Sequence, residues 1–266
     1  MMSELTVLLP AYNEENNIEK LVINWEGLKY SLMEKYELTL KIIVINDGSE
    51  DATHKIAKEL KKKYDNIVLL DHVKNKGLGS AIKTGIYYII ENCSCSSYTC
   101  IMDCDNSHDP TYVLLMLDKK RKNGKDVIIA SRYADGATVK GVPFFRIFLS
   151  KAAKLVYSVF LKVKGVRDYT CGYRLYNTKA FRKLYLKFGD NFLKERGFSC
   201  MVEILYKLYL CGMSFGEIPF KLRYDLKRSK SKLSVVKTLL GSVFLVAKLK
   251  SLENQYSKEK YNIDEK

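Results

Sequence analysis

The sequence predicts an α/β protein, with a mostly parallel central sheet flanked by helices and amphipathic helices toward the C-terminus. Short apolar runs alternate with stretches of helical period through the first half. Those runs are continuous rather than alternating, as strands covered on both faces require. After Tyr133 the alternation gives way to longer apolar-basic helical patterns.

Leu5 to Leu9 is the first strand, stopped by Pro10, and a helical stretch follows from Asn13 through Tyr36. Lys41 to Ile45 is the second strand, ended by the turn Asn46-Asp47-Gly48-Ser49. Ser49 or Asp51 caps the next helix, which ends near Lys63. Ile67 to Leu70, Thr99 to Met102 and Val127 to Ala130 complete the strands, with helices from Gly77 to Ile90 and from Pro110 onward. Phe144 to Val163 reads as a basic amphipathic helix. Thr178–Phe188, Ser199–Cys211 and Ser234–Leu249 are further helices, and Phe215 to Leu222 is strand-like. The expected organisation is a single domain over residues 1–252, with a ligand-binding half (1–133) and an acceptor half (134–252). Residues 253–266 are polar, lack a hydrophobic period, and are expected to form a disordered tail.

Composition narrows the function. The chain has 266 residues, 47% hydrophobic and 28% charged, an ordinary globular balance. Its net charge of +15 is uneven: residues 1–130 hold 17 basic and 19 acidic side chains, and residues 131–266 hold 28 and 11. A basic second half attracts phosphates, whether of a membrane surface, a substrate or a nucleic acid. Nucleic acid is not an expected partner, because no RNA- or DNA-binding motif accompanies the charge. Seven cysteines without a C-x-x-C pair and three scattered histidines disfavour a zinc site and a disulfide framework, and fit a reducing cytoplasm. The chain shows no signal-peptide pattern and no run of about 18 apolar residues, so a peripheral membrane position is expected, not a spanning one.

Ligands of parallel sheets bind at the carboxyl ends of strands. That rule gathers Pro10-Ala11-Tyr12, Asp47-Gly48, Asp103-Cys104-Asp105 and Ser131-Arg132 on one edge. Asp103 and Asp105 leave an apolar strand at alternate positions. They can share a hard cation, Mg²⁺ or Mn²⁺, that bridges a diphosphate. Asp47 can accept N–H groups of a base or serve as a turn cap. Tyr12 can pack on a base and Glu14 can bond a ribose hydroxyl, or the two can be core and helix-dipole partners. Gly77-Leu78-Gly79 lacks the third glycine of a dinucleotide fingerprint and follows the third strand. With no G-x-x-x-x-G-K-[ST] either, dehydrogenase and P-loop readings fall away.

Seven stretches, in order, resemble glycosyltransferase family 2 with the GT-A fold, and within it the dolichol-phosphate mannose synthase-like polyprenyl-phosphate glycosyltransferases. They are Val7 to Glu14, Val44 to Ser49, Asn75 to Ala81, Met102 to Asp105, Ala130 to Tyr133, Asp168 to Tyr176 and Ser231 to Leu233. The resemblance implies inverting transfer of a sugar from a GDP- or UDP-sugar to a polyprenyl phosphate, dolichyl or undecaprenyl. The alternative is a hydroxyl acceptor in polysaccharide or glycoprotein glycan synthesis. It implies a donor site of Pro10, Ala11, Tyr12, Glu14, Ile45, Asp47, Asp103, Cys104, Asp105 and Arg132, with Lys232 on phosphate. The metal ligands would be Asp103, Asp105 and the residue at Ser107, where the mannose synthases often carry glutamine. Arg146 and Ser150, four apart on a helix and hence on one face, match the spacing used for an acceptor phosphate. Asp105, Arg132 and Asp168 are the expected catalytic residues. Asp168 would be a base for a hydroxyl acceptor or would orient Arg174, itself an expected acceptor contact. Asn46 stands where aspartate is frequent. The segment from Pro219 to Leu233 is one residue longer than the mannose synthase pattern, so its arginine is Arg223 or Arg228 and the sugar stays open. A membrane surface and a small membrane-anchor partner complete the expected partners.

Overall fold

In the computed structural model, residues 3–94, 97–226 and 235–264 are described. Among the described residues, nine strands and nine α-helices run in the order β1 (Ser3–Ala11), α1 (Ile18–Glu26), α2 (Lys29–Tyr36), β2 (Leu38–Asn46), α3 (Thr53–Lys63), β3 (Ile67–Asp71), α4 (Leu78–Asn92), β4 (Tyr98–Ile101), α5 (Tyr112–Asn123) and β5 (Val127–Ser131). They continue with β6 (Thr138–Lys140), α6 (Phe144–Leu161), β7 (Arg174–Asn177), α7 (Lys179–Phe188), α8 (Cys200–Leu210), β8 (Phe215–Pro219), β9 (Lys221–Arg223) and α9 (Val235–Asp264).

The central sheet has the order β3-β2-β1-β4-β7-β5-β8. Strands β3, β2, β1 and β4 are parallel, as are β5 and β8. Strand β7 is antiparallel to both its neighbours. The apolar runs of β1, β2 and β5 are buried on both faces, with Leu5, Val7, Leu8, Ile42, Ile43 and Ile128 at 0% exposure. This is the fold class the continuous apolar runs predict. The chain leaves β1 for β2 on one side, while β4 flanks β1 on the other. That topological switch opens a crevice at the carboxyl ends of the strands. One sheet draws strands from both halves of the chain, with β7 set between β4 and β5.

Four local features differ from expectation. The stretch from Asn13 to Tyr36 is two helices, parted at Gly27-Leu28. β1 runs through Pro10 to Ala11, because a proline at the strand end only forgoes a donor. The small β6–β9 ribbon lies outside the main sheet. And α9 continues to Asp264, where a disordered tail was expected from residue 253. One polar and one aromatic contact anchor it as far as residue 256: Tyr206 donates to Glu253 at 2.7 Å and the Tyr256 ring sits edge-on to Phe188 at 5.1 Å. An apolar-period reading cannot register such anchors. Earlier in α9, Leu245, Val246 and Leu249 are buried, and Tyr157 of α6 donates to Ser242 at 2.7 Å.

Candidate active site

Parallel strands bring their carboxyl ends to one edge, and the first site residues stand there. Pro10 and Ala11 end β1, with Tyr12 half-buried beyond them. Asp47 N–H donates to the Ala11 carbonyl at 2.8 Å, tying the ends of β1 and β2. Asn13 takes a left-handed φ of 54°, and its loop is stitched to the turn after β2. Asn13 N–H donates to Ser49 Oγ at 3.1 Å and Glu14 N–H donates to Thr53 Oγ1 at 2.7 Å. Glu14 Oε2 accepts from Asn17 at 2.6 Å. The Ile45 side chain is fully buried, so only its backbone reaches the edge.

Asp47 is more deeply committed than the sequence shows. At 3% exposure, its Oδ1 pairs with His72 Nδ1 at 2.6 Å and accepts Lys76 N–H at 2.9 Å, while Oδ2 accepts Gly77 N–H at 2.8 Å. His72 Nε2 in turn meets Thr84 Oγ1 at 2.9 Å. A carboxylate offers about four acceptor positions, so roughly one remains for a ligand. The anchored turn leads into α4, and Gly77 and Gly79 press against the segment before α8. A Cβ on Gly79 would lie 1.8 Å from the Glu195 carbonyl, so only glycine admits this approach. His72 was missed in the sequence because nothing local pairs it with Asp47, although its place after β3 was readable.

Asp103 and Asp105 follow β4. Asp103 is half-buried beside Gly172, where an added Cβ would lie 3.2 Å from Asp103 Oδ1. Asp105 is 7% exposed, and its Oδ1 accepts Ser107 N–H at 3.0 Å and the Ser107 hydroxyl at 2.5 Å. Ser107 therefore supports Asp105 directly, through a hydroxyl proton already committed to it. The Cys104 side chain is buried, and burial foremost, then the charges of Glu14, Asp105 and Asp103, keep its thiol protonated. Only its backbone can face a ligand. Among the described residues no group of three or more His, Cys, Asp or Glu side chains is placed to hold a metal ion.

Arg132 and Asp168 are joined at this edge by three hydrogen bonds. Asp168 Oδ2 accepts Arg132 N–H at 3.0 Å and Nε at 2.8 Å. Its Oδ1 accepts Nη2 at 2.7 Å and Cys171 N–H at 3.0 Å. Burial alone would raise the Asp168 pKa, but the Arg132 charge and these hydrogen bonds outweigh it and bring it down to about 2. Arg132 Nη2 also donates to Thr170 at 2.5 Å, while Nη1 has no hydrogen-bond partner among the described residues.

Two expectations are corrected here. Asp168 is fully buried with both oxygens engaged, so it cannot serve as a general base, and it orients Arg132, not Arg174. Arg174 is itself 0% exposed and donates to the carbonyls of Met201 and Tyr169, each at 2.7 Å. It is a core strut of β7, with its guanidinium spent on backbone carbonyls. One carbonyl partner, Tyr169, is local, and the other, Met201, comes from 27 positions away, which the motif position does not show.

On the acceptor side, Tyr133 and Ser150 share a hydroxyl–hydroxyl bond of 2.6 Å, which ties α6 to the end of β5. Arg146 lies on α6 one turn before Ser150, and its side chain is outside the described residues. Arg223 N–H donates to the Ser107 carbonyl at 3.1 Å, placing β9 beside the Asp105 loop, and its guanidinium grips Asp225 in a two-point contact. Lys232 and Arg228 lie outside the described residues.

The chain matches the model of "Glycosyl transferase family 2" over residues 6–185. It is 31% identical over 216 residues to polyprenol monophosphomannose synthase of Mycolicibacterium smegmatis, covering 80% of this chain and 75% of that one. It is 33% identical over 205 residues to a dolichol-phosphate mannosyltransferase of Pyrococcus furiosus, 77% of this chain but only 53% of that protein. A dolichyl-phosphate β-glucosyltransferase of Trichomonas vaginalis is 29% identical over 235 residues, covering 86% and 68%. Among solved structures, glucosyl-3-phosphoglycerate synthase from Mycobacterium tuberculosis, in complex with Mn²⁺, UDP and glucosyl-3-phosphoglycerate, superposes with a TM-score of 0.63. That match has 14% identity over 92% of this chain and 80% of that one. Staphylococcus aureus TarS in complex with UDP-GlcNAc gives 0.56 at 16% identity, over 92% and 66%. At such identities the structural likeness speaks to the fold alone.

Proposed function

Because the chain belongs to glycosyltransferase family 2, we propose that its sheet-edge site moves a sugar, with inversion, from a nucleotide-diphosphate sugar to a polyprenyl phosphate. The observation that carries the phosphate acceptor is the Arg132–Asp168 lock. A hydroxyl acceptor wants a carboxylate base, and Asp168 is held ionised, buried and fully bonded. A phosphate monoester has its second pKa near 6 and is a ready nucleophile at neutral pH. It needs positive charge to position it more than a base to activate it.

The residues then divide the work. Tyr12, Glu14 and the remaining acceptor position of Asp47 hold the nucleoside of a GDP- or UDP-sugar. Asp103 and Asp105 face the diphosphate. Their hard carboxylate oxygens suit Mg²⁺ or Mn²⁺, which keeps few protein ligands and takes others from substrate phosphates and water. Such a pair needs no third side chain, in line with Ser107 being spent on Asp105. A bound divalent ion would neutralise charge on the leaving nucleoside diphosphate. Arg132, steered by Asp168, turns Nη1 to the acceptor phosphate with Arg146 and Ser150. A phosphate oxygen attacks the anomeric carbon from the side opposite the diphosphate, and the C1–O bond to the diphosphate breaks as the new one forms.

Where this happens follows from the outer surface. Among the described residues no helix is long and apolar enough to cross a membrane. Phe144, Phe148 and Leu155 of α6 and Val243 and Phe244 of α9 are exposed, with Lys151 and Lys162 alongside. Such a surface suits peripheral binding to anionic lipid, alone or with a small anchoring partner. The free thiols of the described cysteines suit the cytoplasmic face. Thermal-shift screening with GDP- and UDP-sugars, with and without Mn²⁺, tests the donor half. A metal-dependent rise in Tm with one nucleotide class is expected, and no rise with any would sink it.

A further inference from the structure

Helix α6 carries three basic side chains, Arg146, Lys151 and Lys154, and no carboxylate. At about 100° per residue, four of its exposed apolar residues, Phe144, Phe148, Leu155 and Val159, lie on one side, while the exposed Phe145 and Phe160 fall off that stripe. Positions 146, 150 and 154 follow one another at single-turn spacing on the opposite side. Ser150 bonds the Tyr133 hydroxyl, which fixes that polar stripe against the end of β5. One turn on, the Lys154 ammonium stands 4.3 Å from the centroid of the Tyr133 ring, the shortest such cation–ring distance among the described residues. The Arg132 guanidinium lies 5.6 Å from the same centroid.

Tyr133 thus gathers two cations, and they are not equivalent. Arg132 has Asp168 to balance it. Lys154 is half-buried and makes no ion pair among the described residues. The attraction of a cation to a ring face is modest, a weak reason to hold an unneutralised ammonium beside a second positive group. A doubly charged ligand supplies that reason, with one oxygen for Nη1 of Arg132 and another for Lys154.

We infer that Lys154 is an acceptor-phosphate-binding residue that, across the Tyr133 ring from Arg132, selects the dianionic form of the acceptor. This rests on the polyprenyl-phosphate reading above. It adds a residue that the sequence motifs do not contain, and it puts the phosphate under the inner face of the helix whose outer face meets lipid. Tyr133 acts as a positioning residue, through its ring and its bond to Ser150.

The test uses the full-length protein, saturating nucleotide-sugar and a water-soluble short-chain prenyl phosphate without vesicles, so that no bilayer headgroup competes. Lys154→Met should raise the acceptor KM by about tenfold, as loss of one charge-assisted contact does, with the donor KM within twofold. Lys154→Arg should recover most of the loss. Wild-type kcat/KM should rise as pH passes the phosphate's second pKa near 6, and that rise should flatten in Lys154→Met. An unchanged acceptor KM in Lys154→Met overturns the inference. So does a defect seen only with vesicle-borne acceptor, which would make Lys154 a headgroup contact. If the wild type transfers sugar to a hydroxyl acceptor and never to prenyl phosphate, the underlying functional reading fails first, and this assignment with it.

Discussion

Replacing Asp168 with asparagine keeps the shape of the side chain and removes its charge. The amide can accept on one side only. If its nitrogen takes the place of Oδ2, Arg132 N–H and Nε both lose their acceptor. The carboxyl sits at about 2 in the folded protein, against an ordinary 3.8. At 1.36 kcal/mol per unit, that gap is roughly 2 kcal/mol of stability at neutral pH. Losing one partner of a buried pair costs about 3–5 kcal/mol, and the one-fifth exposure of Arg132 favours the low end. The expected loss for Asp168→Asn is about 2–4 kcal/mol, a fall in Tm of roughly 5–15 °C for a chain of this size. The sign with pH is fixed. The folded pKa is depressed, so the stabilisation is present above pH 4 and fades as pH falls from about 4 toward 2. Urea denaturation of wild type and Asp168→Asn should show a constant gap between pH 7 and 5 that narrows below 4. A gap under about 0.5 kcal/mol at pH 7, or one that widens in acid, would refute the reasoning.

Other perturbations have equally direct readouts. Gly79→Ala drives a Cβ to 1.8 Å from the Glu195 carbonyl; a loss of at least about 2 kcal/mol is expected in urea midpoints, and an unchanged midpoint would deny that contact. His72→Ala strips Asp47 and Thr84 of a shared buried partner. It should cost about 1–3 kcal/mol and raise the donor KM more than the acceptor KM. A Phe144→Ser/Phe148→Ser double variant should lose co-sedimentation with anionic vesicles while transfer to a soluble short-chain acceptor stays near wild type; retained vesicle binding would deny α6 its interfacial role. Gly172→Ala crowds Asp103 Oδ1, and should weaken the Mn²⁺-dependent thermal shift with nucleotide-sugar while sparing the apo Tm.

Much of this architecture is legible in the sequence for a plain reason. β1, β2 and β5 are buried on both faces, so their residues are continuously apolar, and the strand-end rule then places Tyr12, Asp47, Asp103 and Arg132 together. What the sequence hides depends on distant partners. β7 carries Arg174 and reads as no strand, because its place between β4 and β5 is set by long-range pairing. β6 and β9 are three residues each, and β6 is exposed throughout. The roles of Asp168 and Arg174 turn on which arginine the carboxylate meets, and only the folded chain brings it to Arg132. His72 and Lys154 belong to no motif, and their partners lie 25 and 21 positions away in the chain.

The Arg132–Asp168 pairing leads to a phosphate acceptor rather than a hydroxyl. Wild-type protein with Mn²⁺ and a nucleotide-sugar should be given a prenyl phosphate and, in parallel, the corresponding dephosphorylated prenol, with sugar transfer to lipid followed by mass spectrometry. The expected result is a sugar-phosphoprenol product from the phosphate and none from the prenol. Transfer to the prenol or to a free sugar, with none to the phosphate, would contradict the account.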